Sequence, residues 1–444
     1  MSRPDSLLVT GGQVLAGGKW TAADVFLANG RIVSVGSDVR TSGTGGGPGE
    51  PTEVGTAGAG AERAALRPFA SNETATAAGS ESPAAGGVSA RRLDASGLLV
   101  VPGFLDLQCN GAVGVDITAE PERLWDVAAA LPQWGVTAWL PTVVTAPAAT
   151  RVRALAALRS GRAGDPAGPA GARPVAVPLG LHLEGPFLAP ERRGAHPAEH
   201  LRAPDAAMVA DERWTRDAGV ALVTLAPELP GALDLVRTLV AAGVVVSAGH
   251  SSASAEQATV AIDAGVTAVT HLFNAMGPLH HRDPGLAGVA LTDERVRVGA
   301  IADGVHLHPT AVALAARALG ERLCLVTDAV AALGMPEGRV RLGVLEAFAT
   351  ADGVRLADGT LAGTSDLSLD RAVRNLVGFA GVPLAAAVAA VTASPAALVG
   401  LEDRGVIAPG AVGDLVLLDA GGEVVATVIG GRVAYDRREG PWRS

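Results

Sequence analysis

The chain has 444 residues, 48% of them hydrophobic, and carries 35 basic against 45 acidic side chains, a formal net charge of −10. This length suits one large domain plus a smaller one, and the negative charge argues against nucleic acid or an anionic membrane as a partner. The two cysteines, Cys109 and Cys324, supply neither a disulfide framework nor a CxxC metal site. The polar start of the chain indicates no secretory signal, so we expect a cytoplasmic protein with two buried thiols.

Both ends of the chain contain short apolar runs separated by glycine turns, a pattern typical of β-strands. The runs lie at 7–11, 24–28, 31–36, 414–418 and 424–432. Between them, residues 41–90 consist mainly of Gly, Ala, Ser, Thr and Pro without hydrophobic periodicity, which predicts a disordered insertion. We expect the remaining end segments to form one small β-sandwich domain, comprising residues 1–40, 91–101 and 404–444.

From residue 99 onward the sequence repeats one unit: an apolar run, a polar residue at its end, and a helical stretch. Eight such runs end at Gln108, Thr142, Glu184, Glu228, His250, His271, Asp303 and Asp328. Eight βα units predict an α/β fold, a (β/α)8 TIM-like barrel, over residues 102–403. Because parallel strands point their carboxyl ends the same way, the polar residues are expected to share the mouth where such barrels place active sites.

Three of these polar residues have the chemistry of metal ligands. Glu184, His250 and His271 offer one oxygen and two nitrogens, which leaves a fourth position for water, as in catalytic zinc sites. Each residue alone has an ordinary explanation, such as a hydrogen-bonded histidine or a turn-capping glutamate. Their shared face favours one divalent metal ion per subunit, with Zn²⁺ expected and other divalent metals still possible.

Asp328 follows the last apolar run of the predicted barrel. A carboxylate in the mouth can take a proton from an activated water and deliver it to a leaving amine. The structural alternative is a helix cap or a partner that orients a histidine. Its position at the mouth favours catalysis.

After Asp328 the pattern changes to hairpin-like pieces at 339–342 and 353–356, followed by a predicted helix at 365–379. The stretch 376–393 is apolar enough to suggest a membrane span. Gly381 and Pro383 interrupt it, so a pair of helices packed on a soluble core is the better prediction.

Seven segments occur in an order that resembles one known family. They are PGFLDLQCNG, HLEGPFLAPERRGAH, AGHSSAS, THLFNAM, PGLAG, ADGVHLHP and LVTDA. Together they resemble the N-acetylglucosamine-6-phosphate deacetylases of the amidohydrolase superfamily, and the resemblance runs from about Leu98 to the end of the chain.

The resemblance implies a role for each matching residue. It implies that Glu184, His250 and His271 hold the metal and that Asp328 is the general acid and base. It implies that His196 orients or polarises the acetyl carbonyl. The residues implied to bind the sugar phosphate are His196, Asn274, Ala275, Arg282 and His306. The family supplies the arginine from a neighbouring subunit, which implies a homodimer.

Gln108 and Asn110 stand where many superfamily members have a His-x-His metal motif. Some deacetylases of the resembled family carry the same Gln-x-Asn variant, so the resemblance holds, and both residues are candidates for lining the active site. The only lysine of the chain is Lys19, outside the barrel, so a lysine-bridged metal pair cannot form. A single metal is therefore expected, and cyclic-amide hydrolases and deaminases of the His-x-His type are disfavoured.

The resemblance implies hydrolysis of N-acetyl-D-glucosamine 6-phosphate to D-glucosamine 6-phosphate and acetate. Two related hydrolytic activities stay open: one acts on the galactosamine isomer, and the other acts on an N-acyl amino acid. The phosphate-binding residues Arg282 and His306 argue against the amino acid. A non-catalytic sugar-phosphate sensor on the same fold is the alternative of a different class.

Overall fold

A computed structural model of the protein describes residues 6–37, 90–162, 173–350, 352–364 and 366–440. The predicted disordered insertion at 41–90 lies, apart from Ala90, outside these residues. The strands of the described part are β1 (Ser6–Ala16), β2 (Lys19–Ala28), β3 (Arg31–Gly36), β4 (Arg91–Asp94), β5 (Leu99–Pro102), β6 (Phe104–Cys109), β7 (Gly111–Ala112), β8 (Val115–Asp116), β9 (Val136–Val144), β10 (Val177–Pro178), β11 (Leu181–Glu184), β12 (Val220–Leu225), β13 (Val245–Ala248), β14 (Ala268–Val269), β15 (Arg297–Ala300), β16 (Leu323–Leu325), β17 (Gly338–Leu342), β18 (Leu345–Thr350), β19 (Gly353–Leu356), β20 (Leu415–Leu418), β21 (Val424–Ile429) and β22 (Arg432–Asp436).

Most of the described helices alternate with the strands of the barrel. They are α1 (Leu124–Ala130), α2 (Ala148–Arg162), α3 (Ala206–Asp211), α4 (Ala232–Ala241), α5 (Ala255–Ala264), α6 (Gly285–Thr292), α7 (Pro309–Leu319), α8 (Leu369–Ala380), α9 (Leu384–Ala389) and α10 (Ala393–Leu398). Short 3-10 helices occupy Pro121–Arg123, Leu131–Trp134, Pro190–Arg192, Ala198–His200, Gly320–Arg322 and Arg437–Glu439.

The barrel consists of the parallel strands β6, β9 and β11–β16, each hydrogen-bonded to its neighbour in sequence order. The circle closes above the strand ends, where the N–H of Asp328 donates to the carbonyl of Gln108 and the N–H of Asn110 donates to that of Ala329. The core of the barrel is a large cluster of buried aliphatic side chains with Trp139, Phe104 and Phe187 fully buried. The predicted (β/α)8 fold is confirmed.

The structure divides the apolar run that ends at Gln108 into two strands at Gly103. β5 precedes the glycine and pairs antiparallel with β20, whereas β6 follows it and enters the barrel. A side chain at Gly103 would clash with Thr137 and Asp414, so the glycine permits the close crossing. Sequence hydrophobicity could not locate this division, because both strands are apolar.

The two ends of the chain form one β-domain, as the sequence predicts. Its eight strands are hydrogen-bonded in the order β22-β21-β20-β5-β1-β2-β3, with β4 beside β1. They enclose a second apolar core that includes Val14, Val25, Leu27, Leu415 and Leu417. The proposed residue boundaries between this domain and the barrel stay a prediction.

The apolar stretch 376–393 is divided between α8 and α9. Gly381 ends α8 in the left-handed conformation, with φ of 67°, and Pro383 precedes α9. Among the described residues, no helix is long and apolar enough to cross a membrane.

The two predicted hairpin pieces are the outer strands, β17 and β19, of a three-stranded antiparallel sheet, and its central strand β18 was not predicted. Helix α5 begins at Ala255, with Ser254 and Gln257 forming a capping box. Ser251 and Ser252 are held outside the helix by the carboxylate of Glu228, which accepts the Ser251 hydroxyl at 2.7 Å and the Ser252 N–H at 2.6 Å.

Candidate active site

The four central residues of the candidate site lie at the carboxyl ends of barrel strands. Glu184 is the last residue of β11, and His250, His271 and Asp328 follow β13, β14 and β16 within three residues. The last three have positive φ angles of 50°, 26° and 48°. Residues other than glycine rarely adopt this conformation, and it costs on the order of 1 kcal/mol for each residue. The surrounding packing therefore maintains a strained backbone at each of these three strand ends.

Glu184, His250 and His271 converge on one point. The Oε1 atom of Glu184 lies 3.2 Å from Nε2 of His250 and 3.0 Å from Nε2 of His271, and the two nitrogens are 3.1 Å apart. In the described chain these three residues are the cluster with metal-ligand geometry. The sequence-predicted ligand set is thus brought together from three separate strands.

The donor set fits a divalent cation. The Nδ1 atom of His250 donates to the carbonyl oxygen of Arg192 at 2.8 Å, so a neutral ring has its lone pair on Nε2, facing Glu184. All three side chains are buried, with at most 5% of each residue exposed. Lone pairs this close together repel one another, and a metal ion would convert the repulsion into coordination.

The charges of the ligand set also interact without a metal. Burial opposes ionisation of Glu184, but where no metal is bound, hydrogen bonds donated by the Nε2 atoms of His250 and His271 hold its pKa well below the usual range. Burial likewise opposes protonation of His271, yet the hydrogen bond and charge of Glu184 raise its pKa. In both residues the partner outweighs the loss of hydration.

Gln108 and Asn110 each donate to a carboxylate of the site. The Nε2 atom of Gln108 lies 3.0 Å from Oε1 of Glu184, and Nδ2 of Asn110 lies 2.7 Å from Oδ1 of Asp328. Asn110 lines the cavity, whereas Gln108 contacts Glu184 behind the cavity wall. The Gln-x-Asn pair therefore supplies hydrogen-bond donors where a His-x-His pair would supply metal ligands.

Asp328 faces the cavity with an altered acidity. Burial, and then the charge of Glu184, raise the pKa of the Asp328 carboxyl to about 6. The amide of Asn110 occupies its Oδ1 atom, which leaves Oδ2 free to exchange a proton. A carboxylate with a pKa of about 6 can both accept and donate a proton close to neutral pH.

His196 is neutral, and its geometry defines which nitrogen carries the proton. The backbone N–H of Thr145 donates to Nδ1 of His196 at 3.2 Å, so the ring proton lies on Nε2. That Nε2 atom is 3.8 Å from Oε2 of Glu184. Burial first, and then the charge of His250, lower the pKa of His196 to about 3. At neutral pH the ring is thus a neutral hydrogen-bond donor toward the metal-ligand cluster.

The site opens into a cavity of about 350 Å³, a size suited to a small ligand. Its polar lining includes Asn274 and His306, and Ala275 contributes beside them. The Nδ1 atom of His306 lies 2.7 Å from Oδ2 of Asp303, which fixes the ring. An apolar wall faces these groups and consists of Val144, Ile301, Leu342 and Leu361.

Arg282 is the sequence-predicted phosphate-binding residue that the structure does not bring to the cavity of its own chain. It is exposed, and its N–H donates to Nδ1 of His280 at 3.3 Å. The predicted contribution of Arg282 to a neighbouring subunit therefore stays a prediction.

Several residues that support the site have no role in the sequence analysis. They are Asp106, Thr145, Arg192 and Glu228. Burial raises the pKa of Asp106 to about 7, and its carboxylate accepts the Thr327 hydroxyl at 2.6 Å, below the mouth. Glu228 ends an apolar run, as the metal-ligand candidates do, and this position could have identified it as a residue near the site. Thr145 and Arg192 gave no comparable signal.

Comparison with known proteins places the chain in a family. The Amidohydrolase family model matches residues 99–434. The chain belongs to the amidohydrolase family. Two curated relatives of this amidohydrolase are each 40% identical to it. The N-acetylglucosamine-6-phosphate deacetylase of Homo sapiens matches over 366 residues, 78% of this chain and 86% of that protein. The N-acetylgalactosamine-6-phosphate deacetylase of Escherichia coli O157:H7 matches over 340 residues, 76% and 88% respectively.

A solved structure extends the similarity to the whole fold of this amidohydrolase. It is an alanine mutant of N-acetyl-D-glucosamine-6-phosphate deacetylase from Mycobacterium smegmatis, in complex with N-acetyl-D-glucosamine 6-phosphate. It aligns with a TM-score of 0.78 and 32% sequence identity, covering 97% of this chain and 99% of that chain. The resemblance inferred from the sequence motifs is confirmed, and the chain is a hydrolase of this family.

Proposed function

We propose that this amidohydrolase converts N-acetyl-D-glucosamine 6-phosphate and water to D-glucosamine 6-phosphate and acetate. The observation that carries the proposal is the convergence of Glu184, His250 and His271 beside Asp328 and His196, at the bottom of one cavity. The names of the relatives supply the substrate class, an amino-sugar phosphate.

The mechanism follows from the placement of the side chains. A divalent metal, which we expect to be zinc, would be held by Glu184, His250 and His271 and would make a water molecule more acidic. The carboxylate of Asp328 takes a proton from the attacking water at Oδ2. It later gives this proton to the departing amine nitrogen, so that the amide C–N bond breaks and acetate leaves.

His196 acts on the acetyl group in this proposal. Its Nε2–H donates to the carbonyl oxygen, where negative charge develops as water attacks. The neutral ring stabilises this charge by hydrogen bonding alone. Its Nε2 proton stays on the ring and is not transferred to Glu184.

The substrate-binding part of the proposal rests on the residues around the opening of the cavity. Asn274, Ala275 and His306 bind the sugar phosphate, and Arg282 of a second copy completes the phosphate site in a homodimer. Guanidinium groups match phosphate geometry, and remote phosphate contacts would hold the acetamide in reacting position. The cytoplasmic location expected from the sequence remains a prediction.

The galactosamine isomer is a second candidate substrate, since one relative with 40% identity is named an N-acetylgalactosamine-6-phosphate deacetylase. The two sugars differ in the orientation of one hydroxyl. The same active-site chemistry serves both.

Acetate release by metal-depleted protein, with and without added zinc, tests the proposal. The substrates are N-acetylglucosamine 6-phosphate, its galactosamine isomer and unphosphorylated N-acetylglucosamine. We expect zinc-dependent release that is fastest with the phosphorylated glucosamine compound. Preference for the galactosamine isomer would retain the mechanism and change the substrate. No release from any compound, despite one bound metal per chain, would favour a sugar-phosphate sensor.

A further inference from the structure

Arg192 lines the cavity of the active site, and neither the metal site nor the proposed reaction uses its side chain. It is the last residue of the 3-10 helix Pro190–Arg192, in the loop after Glu184, and it is partly buried. A partly buried arginine in a cavity wall needs either a carboxylate partner or a ligand to satisfy its charge.

The stem of the Arg192 side chain is fixed by one hydrogen bond. Its Nε atom donates to Oγ of Ser252 at 2.9 Å. Ser252 is held in turn, because its N–H donates to Oε1 of Glu228 at 2.6 Å. The guanidinium is therefore held in place before any ligand binds, which reduces the entropy cost of using it.

The far end of the guanidinium has no acidic partner. Within the described residues, no carboxylate oxygen lies within ion-pair distance of Arg192. Other buried or partly buried arginines of the barrel, such as Arg151, Arg374 and Arg322, contact a carboxylate or backbone carbonyl groups. Glu228 is the acidic group linked to it through Ser252, and both Glu228 oxygens accept from Ser251 and Ser252. The two terminal nitrogens of Arg192 are thus available to an anion in the cavity.

The position of Arg192 indicates which part of a substrate it would meet. The segment that anchors Arg192 also contacts the loop of Asn274, since the N–H of Ser251 donates to the carbonyl of Ala275 at 3.1 Å. Arg192 and Asn274 therefore lie beside the same backbone segment and line the same cavity. Asn274 belongs to the group proposed above for the sugar phosphate.

We infer that Arg192 binds the phosphate group of the substrate from within the same chain. This inference rests on the proposed function and adds a cation in cis to the one that Arg282 would supply from a second copy. A guanidinium can offer two N–H donors to a phosphate, and such charge-assisted pairs are among the strongest hydrogen bonds in proteins.

Kinetics of Arg192→Gln on phosphorylated and unphosphorylated N-acetylglucosamine test the inference. We expect kcat/KM for the phosphorylated sugar to fall about 10- to 100-fold, the range for a lost charge-assisted hydrogen bond. For the unphosphorylated sugar the change should stay within about threefold, and Arg192→Lys should restore part of the loss. The matched control is Arg202→Gln, which removes the same charge from the same loop outside the cavity and should leave both rates unchanged.

Metal content and ligand binding separate phosphate recognition from a structural role. The contact to His250 uses the main-chain carbonyl of Arg192, so Arg192→Gln should still bind one metal per chain. Calorimetric affinity for glucosamine 6-phosphate, which has no acetyl group to lose, should weaken in Arg192→Gln and not in Arg202→Gln.

Three results would overturn the inference: no loss with the phosphorylated sugar, an equal loss with both sugars, or loss of the metal from Arg192→Gln. If wild-type protein released no acetate, the proposed function would fail by itself. Weakened binding of glucosamine 6-phosphate by Arg192→Gln would then still identify Arg192 as an anion-binding residue.

Discussion

The bottom of the active site and its opening are built in different ways. At the bottom, Glu184, His250 and His271 stand on or directly after strands and are almost completely buried. At the opening, Asn274 and Ala275 lie on a loop with partial exposure, and Arg282 is exposed. Strand ends fix the atoms of the bottom through the barrel itself, whereas the loops of the opening depend on one another and, in our proposal, on a second copy.

This difference separates the two tasks of the site. The bottom contains the groups that would hold a metal and move protons, and these tasks require short, fixed distances. The opening contains groups that would recognise a sugar phosphate, and recognition can be distributed over several weaker contacts. Changes at the bottom should therefore reduce turnover, while changes at the opening should reduce selectivity for phosphate.

The largest expected effect is that of Asp328→Asn. The amide cannot accept the proton of the attacking water, so kcat should fall by about 10²- to 10⁴-fold, the contribution of general acid-base catalysis. Metal content, measured by atomic absorption, should stay at that of wild type because Asp328 is not in the ligand cluster. Retained turnover would remove Asp328 from its proposed role.

A smaller effect is expected from Arg282→Gln at the opening. Loss of one phosphate contact should lower kcat/KM for the phosphorylated sugar about 10- to 100-fold.

Complementation tests whether Arg282 acts across a dimer. When Arg282→Gln and Asp328→Asn chains are unfolded and refolded together, half of the dimers are mixed and contain one complete site. Activity should recover to about a quarter of wild type if the dimer is symmetric. No recovery, in a mixture shown by mass spectrometry to contain heterodimers, would contradict the sharing of Arg282.

Asn110→Ala tests how a hydrogen bond at the bottom of the site sets the pKa of Asp328. The Asn110 amide lowers the pKa of Asp328, against burial and Glu184, which raise it to about 6. Asp328 must be ionised to accept a proton, so activity falls as the pH drops through its pKa. Removing the amide raises this pKa, and the acidic limb of the kcat profile should move toward neutral pH, with about a tenfold lower kcat. A bound cation would lower the pKa in both proteins, so the direction of the difference between their profiles is the decisive result.

The smallest effect on activity is expected from the β-domain. Leu417→Ala removes a fully buried side chain from the second apolar core. It should lower the free energy of unfolding by about 2–5 kcal/mol, the usual cost of such a cavity, and leave kcat/KM within about twofold. Denaturant unfolding and acetate release measure the two quantities. A loss of activity in folded protein would show that the β-domain also shapes the site.

Much of the fold could be predicted because hydrophobic periodicity is a local signal. The run that ends at Glu184 and the run that ends at His250 indicate strands by themselves, and the parallel order of a barrel then places their ends together. The division at Gly103 could not be predicted in this way. It depends on close contact with Thr137 and Asp414, which are distant along the chain.

The start of α5 illustrates a second limit. Ser251 and Ser254 are both suitable helix caps by composition. The carboxylate of Glu228 engages Ser251, which leaves Ser254 to cap the helix with Gln257. Choice between the two serines therefore depends on a residue in another βα unit.

The barrel, the β-domain from both chain ends, and the strand-end residues that could hold a metal could all be predicted from local sequence patterns. These predictions were possible because alternation, run length and strand-end polarity are properties of neighbouring residues. Three features of the site became visible only in the folded chain. Gln108 and Asn110 donate to Glu184 and Asp328, His196 carries its proton on Nε2, and Arg192 faces the cavity. Those facts depend on hydrogen bonds between residues far apart in sequence, such as Asn110 and Asp328 at a separation of 218 residues. Local patterns contain no record of such contacts, because folding alone brings the partners together.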